Sequence, residues 1–436
     1  MMLETAKRIA DEALDLSIER ATAALGERQR ADGHWVFELE ADATIPAEYV
    51  LMRHYRAEPV DAGLEAKIAV YLRRIQGTHG GWPLFQDGDF DMSASVKAYF
   101  ALKMIGDDPD ALHMRRAREA ILARGGAATS NVFACSLLAL YGVLSWRSVP
   151  VMPVEIMLLP KWFPFHLDKV SYWARTVLVP LLVLMALKPR AKNPRGVTID
   201  ELFTQPPMSV GPRKKAPHQK WSWFLVFRAI DAVLRALEPR FPNGPRRRAI
   251  DQAAAFVTER LNGEDGLGAI FPAMVNAYEA LALLGYPSDH PARRDTRKAI
   301  DDLLVVHHDT AWCQPCVSPV WDTGLTCLAM QEDGAAPAAA IRRALDWLAT
   351  RQLCDAPGDW RDYRPQLPGG GWAFQFRNDA YPDLDDTAVV ARALHQSPEH
   401  ARFDAAITRA ADWLCGMQSR SGGFAAFDAN NDHRWL

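Results

Sequence analysis

The chain has 436 residues, a net charge of −3, and 49% hydrophobic against 24% charged residues, a globular composition with room for two or three domains. That balance excludes a disordered chain and offers no basic surplus for nucleic acid, so any charged partner has to be met by a local patch. Six dispersed cysteines (Cys135, Cys313, Cys316, Cys327, Cys354 and Cys415) fit reduced thiols, and the lone Cys313-Gln314-Pro315-Cys316 lacks the second ligand pair that a zinc site needs. The polar, charged first nine residues are not a secretory signal. The longest apolar run, 177–187 with Pro180 inside, falls short of the about 20 residues that cross a bilayer and reads as a core helix.

Helical periodicity recurs along the chain, at 6–30, 64–75, 93–105, 131–141, 246–261, 273–284, 338–351 and 405–417, while strand alternation is scarce. An all-α architecture follows. The loops between these segments repeat. Gln29-Arg30-Ala31-Asp32-Gly33-His34-Trp35 and Gln76-Gly77-Thr78-His79-Gly80-Gly81-Trp82 share the form Gln-x3-Gly-x-Trp. Gln366 to Trp372 keeps it, although the preceding helix ends earlier, at Gln352; Gln418 to Phe424 keeps it with Phe as the aromatic, and 261–268 is a weakened copy. Gln can serve freed backbone groups at a helix end, Gly permits the turn, and Trp seals the packing against the next helix. Such helix pairs either close into an α/α toroid or stack as an open solenoid.

Residues 191–219 are rich in Pro and basic residues and read as a loop, with Thr198 as the cap of a short turn. The next stretch, 220–238, places Trp223, Phe227, Ile230, Leu234 and Leu237 on one helical face and Arg228, Asp231, Arg235 and Glu238 on the other. Trp221, Phe224, Leu225 and Val226 widen the apolar side. Arg213, Lys214, Lys215 and Lys220 flank one end; Arg240 and Arg246 to Arg248 flank the other. Two readings stay open: a core helix beside a solvated loop, or a helix lying in a membrane surface with Trp221, Trp223, Phe224 and Phe227 among the acyl chains.

Tyr381-Pro382-Asp383-Leu384-Asp385-Asp386-Thr387-Ala388 sets three carboxylates between an aromatic loop (Trp372, Phe374, Phe376) and an apolar helix. Three chemistries suit it. Aspartates at a helix start accept orphan amides; clustered carboxylates suit Mg²⁺ and its phosphates; and crowded carboxylates hold a proton, giving a general acid. Arg377 is the only close cation, and the neighbours are otherwise aromatic, which suits the stabilisation of passing cations. A strong acid beside aromatic walls is what protonation of an alkene and steering of a carbocation require.

These residues together resemble squalene–hopene cyclase. The likeness rests on the Gln-Trp repeats, Asp383 to Ala388, Ser318-Pro319-Val320-Trp321-Asp322-Thr323-Gly324, Asp32 to Asp42 and Met152 to Met157, and it covers essentially the whole chain. It implies two α/α barrels: residues 1–32 begin the first, 33–316 form an inserted second barrel with a membrane-facing helix at 220–238, and 317–436 open the catalytic one. It implies Asp385 as the general acid with Asp383 and Asp386 as partners. The implied cavity residues are Trp173, Ile270, Phe271, Pro272, Trp321, Phe374 and Phe427. In this reading squalene is protonated and closes to hopene or hopanol without metal or organic cofactor. The implied setting is the cytoplasmic face of the bacterial inner membrane, peripherally bound, with room for a homodimer. Family members continue past Leu436, so the expectation is a fragment or truncated product that is inactive alone. Set beside this are a class II cyclase of prenyl diphosphates, a non-catalytic helical repeat protein that binds apolar ligands or membranes, and an α/α-barrel glycosidase with paired carboxylates.

Overall fold

The structure is a computed structural model and describes residues 2–212, 215, 220–334, 336–355, 358–431 and 433. Arg213 and Lys214 of the basic flank, and the chain end from Arg434 to Leu436, lie outside the described residues. The helices are α1 (Met2–Arg28), α2 (Thr44–Arg56), α3 (Ala62–Arg74), α4 (Met92–Ile105), α5 (Leu112–Ala123), α6 (Val132–Leu140), α7 (Tyr172–Leu187) and α8 (Trp221–Leu237). They continue with α9 (Asn243–Glu259), α10 (Phe271–Leu283), α11 (Pro291–Asp301), α12 (Pro319–Glu332), α13 (Ala338–Ala349), α14 (Leu384–Gln396) and α15 (Asp404–Gly416). One short antiparallel pair, β1 (Leu304–Val306) with β2 (Ala311–Cys313), escaped the sequence reading because three residues carry no detectable alternation.

The chain forms two compact units, one from Met1–Glu38 with Cys316–Asp432 and one whose body is Leu39–Pro315. The sequence reading starts the second unit at residue 33. The structure keeps 33–38 with the first, because the Trp35 amide donates to Thr323 Oγ1 at 2.9 Å and the Phe37 amide to Asp322 Oδ2 at 2.9 Å.

Both units follow the two-layer plan of an α/α toroid. In the second, α2 packs on α4 and α10, and α7 on α10, as an inner layer. Outside it, α3 covers α2 and α4, α5 covers α4, α9 covers α7, and α11 covers α10. A helix covered on both sides is buried over most of its surface. Thus α4 buries nearly its whole length, from Ser93 to Leu102. In the first unit, α12 and α14 pack together with α13 and α15 against them, around fully buried Trp35, Trp372, Leu348 and Leu394.

The Gln-Gly-Trp turns are what tie one outer helix to the next. Gln29 Nε2 donates to Gly33 O at 2.8 Å and to Ala340 O, in the first turn of α13, at 2.8 Å. Gln76 does the same to Gly80 O (2.6 Å) and to His113 O in α5 (2.9 Å). The Trp indoles then return to the preceding helix, from Trp35 to Leu25 O (2.8 Å) and from Trp82 to Leu72 O (2.7 Å). The turn glycines allow the close approach: a Cβ on Gly33, where φ is +104°, would lie 2.7 Å from the Arg343 carbonyl oxygen, and one on Gly80 2.8 Å from that of Arg116.

The third copy corrects the sequence reading. Gln366 is exposed, and it is Gln352, at the end of the helix, whose Nε2 donates to Gly370 O (2.9 Å) and Ala406 O (2.8 Å). An insertion separates glutamine from glycine without disturbing either bond. In the weakened copy Asn262 takes the part of Gln, donating to Gly266 O at 3.1 Å. The short turn Asp200–Leu202 begins at Ile199 with no side-chain cap, so Thr198 does not serve as expected.

Helix α8 buries none of its residues, which removes the core-helix reading. Asp231 and Arg235 of its polar face are docked, with Phe224, Ile230 and Leu234 half-buried beside them, while Arg228 is exposed. Asp231 Oδ1 accepts the Val151 amide at 2.8 Å, Arg235 donates to Val149 O at 3.1 Å, and Lys188 pairs with Glu238 at 2.8 Å. Trp221, Trp223, Leu225 and Phe227 face outward, and Phe165 meets Phe227 with ring centroids 6.0 Å apart, extending the patch toward an exposed Trp162. No described helix is long and apolar enough to cross a membrane.

Candidate active site

The site grows out of the third turn. Trp372 is completely buried; its indole donates to Leu348 O at 2.7 Å and its amide to Thr387 Oγ1 at 2.9 Å. The Asp383 amide returns to Trp372 O at 2.7 Å, so the aromatic loop and the start of α14 are bridged as a short antiparallel pair. Asp383 then caps the helix, its Oδ1 accepting the amides of Asp385 (2.7 Å) and Asp386 (3.2 Å).

The same construction occurs where no acid chemistry is expected. Trp82 bridges Asp91, Asp91 caps α4 by accepting the Ala94 amide, and the Trp82 amide donates to Ser95 Oγ at 2.8 Å. Matching Ser95 to Thr387 sets Asp91 on Asp383, Ser93 on Asp385 and Ala94 on Asp386. Matching Thr323 of α12 in the same way sets Asp322 on Asp386 and Trp321 on Asp385. The capping aspartate is thus shared with the α4 copy, whereas Pro319 stands in its place on α12, and what this copy adds is Asp385 and Asp386 together. Asp322 has both oxygens engaged, by Ser318 Oγ (3.2 Å) and the Phe37 amide. Asp386 Oδ1 is buried and has no hydrogen-bond partner among the described residues.

Burial separates the three carboxylates. Asp386 is 1% exposed, Asp383 8%, and Asp385 lies open to solvent. Burial, reinforced by the charges of Asp383 and Asp385, pushes the Asp386 carboxyl up to about 9. Burial also raises Asp383, to about 6, against the two backbone amides that favour its charged form. The pair therefore keeps one proton at neutral pH, and it resides on Asp386 because Asp383 holds the amides. The sequence reading made Asp386 a partner of Asp385; the packing makes it the proton-holding member. The signal was present as the Ser/Thr recurring at a fixed place behind each turn, which aligns Asp386 with a buried position.

The aromatic candidates fall in both units. In the first, Phe374 is half-buried in the loop before the acid, and Trp321 is half-buried on α12, which packs on α14. Phe427 is half-buried and follows Ala426, whose carbonyl accepts the Leu384 amide at 2.9 Å. In the second, Trp173 and Pro272 line one cavity of about 610 Å³, while Ile270 is half-buried before α10 and Phe271 is completely buried outside that lining. Among the described residues no group of three or more His, Cys, Asp or Glu could hold a metal ion. The Cys313 thiol is pushed well up by burial and Cys316 to about 11, mainly by burial, so neither is a ready ligand.

The family model for the squalene–hopene cyclase N-terminal domain matches residues 18–309, and that for the squalene–hopene cyclase C-terminal domain matches residues 317–436. A probable squalene–hopene cyclase of Sinorhizobium fredii is 61% identical over 97% of this chain and 66% of its own. A squalene–hopene cyclase of Bradyrhizobium diazoefficiens is 61% identical, over 98% and 65%. One of Zymomonas mobilis is 54% identical, over 96% and 65%. The chain thus spans just under two thirds of the length of these relatives. With both domain models matched and the acid set on its capped helix, the chain belongs to the squalene–hopene cyclase family.

Proposed function

We propose that the protein serves the cyclisation of squalene to a pentacyclic hopanoid, hopene or hopanol, begun by protonation of an alkene. The observation that carries the reading is the trio on α14: one carboxylate that caps, one buried carboxyl that keeps its proton, and one that is exposed. In this reading Asp385 gives its proton to the terminal double bond of squalene. The alkene π pair forms the new C–H bond and leaves a tertiary cation, and successive alkenes close rings onto it. Asp386, sharing its proton with Asp383, keeps a proton in the carboxyl cluster beside Asp385. Trp321, Phe374 and Phe427 supply π faces for the cation. Proton loss or capture of water ends the sequence, so no metal or organic cofactor is required.

The protein is further proposed to work at a membrane surface, as a peripheral protein of the cytoplasmic face of the inner membrane. The outward aromatic face of α8 supports this, with Trp162 beside it and Lys220, Arg240, Arg247 and Arg248 nearby in sequence. The test is incubation of detergent-solubilised protein with squalene, products being read by gas chromatography–mass spectrometry. The chain is assayed as it stands and joined to the remaining third of the Sinorhizobium fredii relative. Polycyclic product that disappears with Asp385→Asn is the expected result; no product from the joined protein, or full activity in Asp385→Asn, overturns the reading.

A further inference from the structure

The third turn differs from the acid-free copy at 76–82 by the segment inserted between Gln352 and Gly369, and it is this copy that leads into the three aspartates. The inserted residues fold back onto the site. Asp359–Asp362 forms a single tight turn, and its Trp360, 3% exposed, shares a buried cluster with Leu384 of α14 and with Trp413 and Met417. Arg364 ties the same segment to the end of α15, its Nε donating to Gly416 O at 2.6 Å and its Nη2 to Gln418 O at 2.8 Å.

Two hydrogen bonds join the insertion to the residues just ahead of the acid. The Asp359 amide donates to Ala380 O at 3.1 Å, and the Tyr381 hydroxyl donates to Asp359 Oδ2 at 2.7 Å. Tyr381 is 3% exposed, and a phenol buried to that extent needs a partner for its hydroxyl. A carboxylate is a strong one. In the acid-free copy the residue standing two places before the capping aspartate is Asp89, which is exposed. The buried tyrosine and the segment that holds it therefore accompany the acid.

Between Tyr381 and the acid the chain has little slack. Pro382 has its own φ fixed by its ring. The Asp383 amide donates to Trp372 O at 2.7 Å, and the Leu384 amide to Ala426 O at 2.9 Å. The Asp383 carboxylate in turn accepts the amides of Asp385 and Asp386, so a shift at Tyr381 reaches the helix cap within two residues. Asp385 and Asp386 are neighbours about 100° apart on the helix, one open and one buried. A small rotation or tilt of the first turn of α14 would let water reach Asp386, and a carboxyl that water reaches gives up its proton at ordinary pH.

We propose that Asp359 and Tyr381 are positioning residues of the acid site: the inserted segment is a brace that holds the cap of α14 in the setting that buries Asp386 and leaves Asp385 open. The proposal rests on the acid reading of α14 given above and assigns neither side chain to the substrate.

The test follows the Asp386 carboxyl by nuclear magnetic resonance in the chain as it stands, isotope-labelled at the aspartate carboxyl carbons, the signal being identified by its loss in Asp386→Asn. The native midpoint is expected at about 9. Tyr381→Phe, which removes one hydroxyl and no ring, should lower it by about one pH unit or more, and so should Asp359→Ala. Asp359→Asn keeps an oxygen to accept from the phenol and should stay near the native midpoint. The same variants of the protein joined to the remaining third of the Sinorhizobium fredii relative are assayed with squalene. There the first two should lower kcat about tenfold or more with KM unchanged, and Asp359→Asn should keep most of the native rate. A raised native midpoint that does not move in Tyr381→Phe overturns the proposal. So does a loss of kcat as large in Asp359→Asn as in Asp359→Ala. A native midpoint in the ordinary carboxyl range removes the proton store and the brace with it. A joined native protein that makes no product removes the cyclase reading alone, and the titration then decides the brace.

Discussion

Asp91 and Asp383 occupy the same place in two copies of one turn: each is bridged to the tryptophan of its Gln-Gly-Trp motif and each caps the inner helix that follows. The acid motif is thus written onto a capping motif that the fold uses elsewhere. Two substitutions relative to that copy, Asp385 for Ser93 and Asp386 for Ala94, turn a helix start into a proton store.

The proton store should be visible in stability. A carboxyl whose folded pKa is raised, as for Asp386 at about 9 against an ordinary 3.8, favours the folded state fully below the ordinary value. That advantage is lost as pH rises toward the folded value. The native melting temperature should therefore fall between pH 5 and pH 9, and Asp386→Asn should flatten the fall and melt several degrees higher at the alkaline end. Thermal unfolding followed by circular dichroism across that range decides it; parallel profiles would show that Asp386 does not hold the proton.

Two glutamines separate structure from resemblance. Gln352→Ala strips donors from the carbonyls of Gly370 and Ala406 and should cost about 1–3 kcal/mol. Gln366→Ala, at an exposed position, should stay within about 0.5 kcal/mol of the native protein. Urea unfolding of the two variants side by side is sufficient, and equal losses would refute the assignment of the bond to Gln352.

Glycines at the turns and in the helices should respond with opposite sign. Gly33→Ala brings a Cβ to 2.7 Å from the Arg343 carbonyl oxygen at a positive φ, and a loss of about 2 kcal/mol or more is expected. Gly26→Ala, inside α1 with nothing within 4 Å of the added atom, should gain roughly 0.5–1 kcal/mol. Guanidinium unfolding midpoints report both changes.

Outward aromatics can be removed without touching the fold. Trp223→Glu with Phe227→Glu should leave the melting temperature close to native, because both side chains are exposed, yet abolish flotation with liposomes of mixed neutral and anionic lipid. Undiminished flotation would show that α8 is not the contact.

The helical layout was legible because apolar periodicity and the Gln-Gly-Trp turns act locally. Gln352 was not, since a sequence pattern counts residues whereas a hydrogen bond counts ångströms, and the insertion before Gly369 separates the two. The three aspartates were legible as a cluster, but the division of labour among them was not: it depends on Asp386 pointing into packed surroundings while Asp385 does not. The orientation of α8 was half legible. Its two faces were clear in the sequence, but that Asp231 and Arg235 serve as inward tethers became visible only with the Val149–Val151 backbone beside them.

That inward-polar arrangement makes the two sides of α8 answer to ionic strength in opposite senses. Added salt screens the half-exposed Lys188–Glu238 pair, and so loosens the C-terminal end of the helix from the body. The same salt, when it is a salting-out species such as sulfate, strengthens the burial of Trp223 and Phe227 in any apolar surface they meet. Rising ionic strength therefore shifts the hold on α8 away from its own protein and toward whatever covers its outer face.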